Sequence, residues 1–366
     1  MLELSYYMPV KICFGYAAVE RNSHLLRNYG TRTAIITGSL SAAKSGALSD
    51  IVAAINKNGQ TFQIFSGVKN DPPIENVMQM ALEINLFKPD FLIAIGGGSV
   101  IDAAKVIALL LTNSFNEEIL WQKDFIKPLP LIAIPTTAGT GSEVTPYAIL
   151  TDNKLKTKRS VSSEEIYPKV AFCDPFYTES MPKELTINTA VDALSHLLEG
   201  FFAKRANNIS DLYALKGLEF WSEGAPGLFR GEMSKNERES LMAASLFGGL
   251  TIAKTGTTMV HALGYSLTYD YKIPHGKANG LLLNAYLDFM LKTLPEKTKQ
   301  ALKTLGYQKI TEFQDDFKQL FSEKLKLSTR EIAFYVEKAL KTSNVVNTPG
   351  KVSAFVLADI IERSLL

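Results

Sequence analysis

The feature that most constrains this chain is an alternation confined to its first half. Short β-branched or aliphatic runs occur at about residues 33–37, 61–65, 91–95, 131–134 and 170–172, and segments with helical spacing lie between most of them, as at 46–56, 74–85 and 101–111. Near-continuous apolar strands alternating with helices imply a parallel sheet covered on both faces. From about Leu185 onward the strand-like runs fade and helical periodicity takes over. Two capping boxes, Ser234-Lys-Asn-Glu237 and Ser328-Thr-Arg-Glu331, mark helix starts there. Residues 351–365, after Thr348-Pro349-Gly350, predict a final amphipathic helix. The expected architecture is an α/β domain over residues 1–181 and an all-α domain over 182–366, with the boundary near Met181-Pro182. A cleft between two such halves is the default place for a ligand.

Length and composition agree with two domains: 366 residues at ~150 per domain is roughly 2.4. Lys+Arg 39 against Asp+Glu 37 leaves a formal charge of +2, too small to imply a nucleic-acid partner. Only Cys13 and Cys173 are present, which excludes a disulfide scaffold and a thiolate-rich metal site. The residues from Met1 to Tyr7 carry no leader pattern. The longest apolar stretch, about 91–112, contains Asp102, Lys105 and three glycines, so it reads as a strand turning into a helix rather than a membrane span. A cytoplasmic protein with no membrane partner is therefore expected. Imidazole chemistry must come from four residues: His24, His196, His261 and His275.

Two loops at strand ends suggest a nucleotide. Residues 91–102 run from strand through Gly96-Gly97-Gly98-Ser99 into a helix, where glycines admit a pyrophosphate and the helix N-terminus offers N–H groups. The spacing departs from Gly-x-Gly-x-x-Gly, since Ile101 stands in the third glycine's place, and a plain tight turn is the competing reading. The strand at 131–134 runs into Pro135-Thr136-Thr137-Ala-Gly139-Thr140-Gly141-Ser142-Glu143, whose hydroxyls suit a polar ligand. Users of NAD commonly place an acidic residue at the adenosine ribose. Here Thr37 is followed by Gly38-Ser39-Leu-Ser41, with Lys44 nearby, which tolerates a 2′-phosphate and leans towards NADP(H) over NAD(H).

Asp192 and His196 are i and i+4 in a helical pattern and share one face. Such a pair is often only a core histidine and its hydrogen-bond partner. His261 and His275, however, also sit in apolar contexts, and one carboxylate with three imidazoles would complete a shell for a divalent metal. His24, in Arg21-Asn-Ser-His-Leu-Leu-Arg27, reads as a surface position.

Taken together, these residues resemble the iron-containing (group III) alcohol dehydrogenase family over nearly the whole chain. The matching motifs are Gly96-Gly-Gly-Ser99 with Asp102, residues 135–145 (Pro-Thr-Thr-Ala-Gly-Thr-Gly-Ser-Glu-Val-Thr), Val191-Asp-Ala-Leu-Ser-His196, His261-Ala-Leu-Gly264 and Pro274-His-Gly276. The resemblance implies a Rossmann-like N-terminal domain and a helical C-terminal domain, an architecture shared with dehydroquinate synthase, with cofactor and metal in the cleft. It implies Asp192, His196, His261 and His275 as ligands of Fe²⁺, with Zn²⁺ compatible on the usual affinity order. It implies cofactor contacts from Gly38, Ser39, Asp71, Gly96, Gly97, Gly98, Ser99, Asp102, Thr136, Thr137, Thr140, Ser142, Thr145 and Lys158. Gly38 falls where NAD-preferring relatives carry aspartate, which supports the NADP lean. Tyr265 stands where many relatives have a further histidine credited with proton transfer; its hydroxyl is the candidate relay or support for the ligand shell, and a packed aromatic is the competing reading.

The activity so implied is hydride transfer between NAD(P) and a small alcohol or aldehyde, in a homodimer, with the metal polarising the substrate oxygen. Phe247, Leu250 and Tyr265 are expected to line the substrate side. Rival readings are a polyol dehydrogenase, a maleylacetate-type reductase, or a dehydroquinate synthase-like lyase. The lyase would want a Lys/Arg cluster, and residues 261–277 offer only Lys272 and Lys277. A non-catalytic nucleotide-binding or metal-stabilised protein is the third class.

Overall fold

The computed structural model describes residues 6–122, 125–321 and 324–366. The opening residues 1–5, part of the segment read for a leader pattern, lie outside the described residues. The chain divides into two compact units: Met1–Thr137 with Gly141–Met181, and Ala138–Thr140 with Pro182–Leu366.

The first unit contains β1 (Lys11–Phe14), α1 (Ala18–Asn22), β2 (Arg32–Thr37), α2 (Ser41–Lys44), α3 (Ala47–Lys57), β3 (Thr61–Ser66), α4 (Ile74–Phe87), β4 (Phe91–Gly96), α5 (Gly98–Leu110), β5 (Leu131–Pro135), β6 (Tyr147–Asp152), β7 (Thr157–Ser162) and β8 (Val170–Cys173). Six strands form one sheet in the order β1-β8-β5-β4-β2-β3, every neighbouring pair parallel. Both faces are buried along β4, β5, β8 and all of β2 after Arg32, as the apolar strand runs require, while the edge strand β3 is largely exposed. On β4, Leu92 and Ala94 pack with α4 and α5 on one face. Phe91, Ile93 and Ile95 pack with α1 and α3 on the other. The strand order reverses between β2 and β4, and in open α/β sheets a ligand sits outside the carboxyl ends of the strands at such a switch. Gly38 follows the carboxyl end of β2, the triple glycine that of β4, and Thr136 that of β5.

The expected strands in this half all form. Two further features do not follow from the apolar runs: the four-residue edge strand β1 and the antiparallel hairpin β6–β7. The hairpin alternates buried and half-buried residues along β6, and of the buried ones only Ala148 and Leu150 are apolar, the third being Asp152. Helix α5 starts at Gly98, three residues before the apolar pattern begins, because Val100 and Ile101 donate to the Gly97 carbonyl and close its first turn.

The second unit is helical among its described residues: α6 (Lys183–Phe202), α7 (Asn208–Arg230), α8 (Lys235–Thr255), α9 (Met259–Tyr271), α10 (His275–Thr293), α11 (Pro295–Thr304), α12 (Ile310–Leu320), α13 (Thr329–Leu340), α14 (Ser343–Asn347) and α15 (Ala354–Leu365). Both expected capping boxes form, at Ser234/Glu237 and Ser328/Glu331. Among the described residues no helix is long and apolar enough to cross a membrane; the 91–112 stretch is β4 and α5.

Candidate metal and cofactor sites

Three helices of the second unit bring the candidate ligands together. Asp192 and His196 lie one turn apart on α6, both buried. His261 is the third residue of α9 and is buried, and His275 opens α10, half-buried. Lys272 adopts the left-handed conformation (φ 56°) that ends α9, and Pro274 then starts α10. The chain thus reverses within a few residues, and His275 returns to His261. Gly276 permits the close approach of α10 to α6, since a Cβ there would collide with the Asn188 carbonyl.

The donor atoms converge. Asp192 Oδ1 lies 3.9 Å from His196 Nε2, 3.8 Å from His261 Nε2 and 3.7 Å from His275 Nε2. The Nε2 atoms of His196 and His261 are 3.0 Å apart. An ion with tetrahedral ligands at ~2.1 Å has donor–donor edges of ~3.4 Å. Asp192, His261 and His275 place their donor atoms within 4.8 Å of one another, as one divalent cation needs, and His196 Nε2 adjoins this trio through Asp192 and His261. The chemistry of the set also fits, since two imidazoles are oriented from behind. His196 Nδ1 lies 3.3 Å from the Gly139 carbonyl, and His261 Nδ1 bonds Glu199 Oε2. A proton on each Nδ1 leaves each Nε2 with a lone pair facing the common point. Burial holds the His196 imidazole below its ordinary pKa against the pull of Asp192, which keeps it neutral and able to ligate.

Tyr265, one turn beyond His261, stacks its ring on His275 (centroids 5.5 Å, 15°) and meets His261 edge-on at 6.1 Å. Leu250 is buried, while Phe247 packs among the rings of Tyr213 and Phe220 at 6.1 and 5.6 Å. His24 is exposed, as expected of a surface position.

Two residues at this cluster escaped the sequence reading. Glu199, fully buried on α6, accepts from His261 Nδ1 and from the first turn of α9. Asn279, fully buried on α10, places its amide nitrogen 3.1 Å from Asp192 Oδ1 and 3.3 Å from Nε2 of both His261 and His275. Spacing carried a signal for both: Glu199 is i+3 from His196, and Asn279 is i+4 from His275.

The first unit holds the predicted cofactor residues except Thr140. Gly97 precedes α5 in an extended conformation, and a Cβ there would lie 3.1 Å from Thr137 Cγ2 and Oγ1, so any larger residue crowds the Thr137 side chain. The Thr136 amide donates to the Gly96 carbonyl, while its buried hydroxyl has no partner among the described residues, which suits a ligand's polar atom. Gly38 is half-buried and Ser39 exposed, and Thr140 groups with the second unit. Asp71, in the left-handed region (φ 48°), donates its amide to Ser99 Oγ and pairs with Lys158 Nζ at 2.6 Å.

Asp102, Ser142 and Thr145 turn instead to one another. Lys105, fully buried on α5, donates to Ser142 Oγ at 2.9 Å, to Thr145 Oγ1 at 3.1 Å and to the Tyr147 carbonyl at 2.6 Å, and lies 3.4 Å from Asp102 Oδ1. Ser142 also bonds Asp102 Oδ1, and the Ile149 amide donates to Oδ2 at 2.9 Å. This network ties the loop after β5 and the start of β6 to α5. The signal for it was a charged i,i+3 pair inside an apolar helix. Glu143, buried beside it, is pushed by burial to a pKa of about 7.

The first unit thus carries a parallel sheet with glycine- and threonine-rich turns at its strand ends, and the second a cluster of three histidines and one carboxylate able to hold a metal ion. Residues 9–175 match the family model for iron-containing alcohol dehydrogenase, and residues 186–362 match that for the C-terminal region of the same family. An NAD-dependent methanol dehydrogenase of Bacillus methanolicus is 30% identical over 307 residues, 82% of this chain and 80% of that protein. An NADPH-dependent butanol dehydrogenase of Clostridium saccharobutylicum is 28% identical over 83% of this chain and 78% of its own. The crystal structure of an iron-containing alcohol dehydrogenase from Thermotoga maritima, 35% identical, superposes with a TM-score of 0.90 over 99% of both chains. The chain belongs to the iron-containing alcohol dehydrogenase family.

Proposed function

We propose that this chain is a metal-dependent, NAD(P)-linked dehydrogenase of small alcohols that also reduces the corresponding aldehydes. The carrying observation is the convergence of Asp192 Oδ1 with the Nε2 atoms of His196, His261 and His275. In this reading residues 182–366 hold the metal and substrate, and residues 1–181 hold the dinucleotide. Fe²⁺ is assigned through the family, and Zn²⁺ suits the same donors. When bound, the metal supplies Lewis-acid polarisation of a hydroxyl or carbonyl oxygen and the nicotinamide supplies hydride transfer.

The protein's own part is placement and exclusion of water. Buried Asp192 brings negative charge to the donor set, and the neutral imidazoles bring lone pairs fixed by Glu199 and the Gly139 carbonyl. The Tyr265 ring holds that of His275 by stacking, and its hydroxyl is the residue we assign to proton relay. Gly96, Gly97, Gly98 and Ser99 receive the pyrophosphate, and Thr136, Thr137 and Thr140 the nicotinamide end. Asp71 and Lys158 flank that cradle as an ion pair. Asp102, Ser142 and Thr145 act through the shape of their loop. Gly38 with Ser39, Ser41 and Lys44 supports NADP(H) over NAD(H), while named relatives use either. The two buried free thiols suit a reducing, cytoplasmic setting, and a homodimer completes the reading.

The test is metal analysis of anaerobically purified protein beside a screen of aldehydes with NADPH and NADH. Stoichiometric metal and NADPH-linked turnover are expected, and His261→Ala is expected to abolish both with the fold intact. Full activity in that variant, or in chelated protein, contradicts the proposal.

A further inference from the structure

Glu199 is a fully buried carboxylate with an unusual set of donors. Helix α9 has no cap from the side chain of its own N-cap residue, Thr258. Its free N–H groups are taken from outside the helix. Glu199 Oε1 accepts from the amides of Thr258 at 2.8 Å, Val260 at 3.1 Å and His261 at 3.4 Å, and from the Thr258 hydroxyl at 2.6 Å. Thr348 Oγ1 takes the remaining amide, Met259, at 3.0 Å. The positive end of the helix therefore faces Glu199 Oε1, which favours a carboxylate there despite burial. The other oxygen, Oε2, bonds His261 Nδ1.

We propose that Glu199 is a positioning residue for the metal site: Oε2 keeps the proton of His261 on Nδ1, so that Nε2 presents a lone pair to Asp192, His196 and His275. The inference rests on the metal reading above and goes one layer behind the four donors. The two oxygens divide the work. Oε1 fixes where α9 begins, and hence where His261 stands; Oε2 fixes which ring nitrogen is free. Outer partners of this kind typically alter metal affinity by about 10–100-fold.

The two functions separate by substitution. In Glu199→Gln the amide oxygen still accepts from the first turn of α9, but the amide N–H₂ faces His261 Nδ1. The imidazole then accepts at Nδ1 and carries its proton on Nε2, inside the donor set. Thr348→Val removes a cap from the same helix end without touching His261. The experiment is titration of metal-free protein with Zn²⁺ against a chromophoric chelator, for wild type, E199Q and T348V. Selective ¹⁵N-histidine NMR of the metal-free chains, which have four histidines to assign, accompanies it. Zinc affinity is expected to fall about 10–100-fold in E199Q and less than about 3-fold in T348V, with the His261 proton moving from Nδ1 to Nε2 in E199Q only. Wild-type affinity in E199Q, an unmoved proton, or an equal loss in T348V overturns the role given to Glu199. Absence of a zinc site in wild type overturns the metal reading itself.

Discussion

Each unit buries an aspartate in an apolar helix, and the two aspartates have opposite surroundings. Asp102 on α5 meets Lys105, the Ser142 hydroxyl and the Ile149 amide, all donors from its own unit. The network is closed: the buried cation also bonds Thr145 and a carbonyl, so charge and hydrogen bonding balance internally. Asp192 on α6 has a neutral donor, the Asn279 amide, and faces three imidazoles. With the His196 and His261 protons on Nδ1, acceptors outnumber donors, and among the described residues no charged side chain of the opposite sign balances the carboxylate as Lys105 does for Asp102. A closed network positions a loop, whereas an acceptor-rich cluster calls for an ion. Chemical type alone does not tell the two apart, because both are charged groups in apolar helices. The identity of the partners does.

The largest effect expected of the closed network comes from removing its cation. Lys105→Met leaves Asp102 buried and unpaired, a loss of about 3–5 kcal/mol, while metal bound per folded chain stays at the wild-type value. Chemical denaturation with parallel metal analysis checks both. A loss below ~1 kcal/mol would show that Lys105 is not what balances Asp102.

Glu143 sharpens the comparison through pH. Burial raises its pKa to about 7 from the usual 4.5, so the folded chain holds its proton over a range where the unfolded chain releases it. Stability from this group therefore falls as pH rises from about 4.5 to 7 and is flat above. Glu143→Gln lacks that dependence and is expected to gain on wild type between pH 5 and pH 8 by up to ~3 kcal/mol. Equal stability differences at the two pH values would contradict it.

The smallest effect separates cofactor from metal. Gly97→Val places side-chain carbons against Thr137, between the triple glycine and the loop after β5 proposed to hold the dinucleotide, at a cost of about 1–3 kcal/mol in NADPH binding, roughly 10–100-fold. Fluorescence titration of NADPH is expected to show that loss with the metal content unchanged. Wild-type affinity would remove the triple glycine from the cofactor site.

Much of this was legible in the sequence because it depends on local pattern. Apolar runs such as 91–95 and 131–134 give buried parallel strands wherever both faces are covered, and Ser234/Glu237 caps a helix by side chains three residues apart. The four candidate ligands were legible as types, and the i,i+4 spacing placed two of them on one face. What the sequence did not disclose are partnerships between distant segments. Lys105 reaches Ser142 and Thr145 across 37 and 40 residues, and Glu199 reaches the start of α9 across about 60. No period or spacing encodes such a pairing. The hairpin β6–β7 was lost for a different reason: residues such as Thr157, Lys158 and Arg159 on β7 are half-buried and polar, so no apolar run marks the strand.

The most direct measurement is a crystal of the zinc- or iron-loaded protein with anomalous data collected on both sides of the metal's absorption edge. The account expects one strong peak per chain, at about 2.0–2.2 Å from Asp192 Oδ1 and from Nε2 of His196, His261 and His275. A peak bonded to other residues, or none at these four in a metal-soaked crystal, would contradict it.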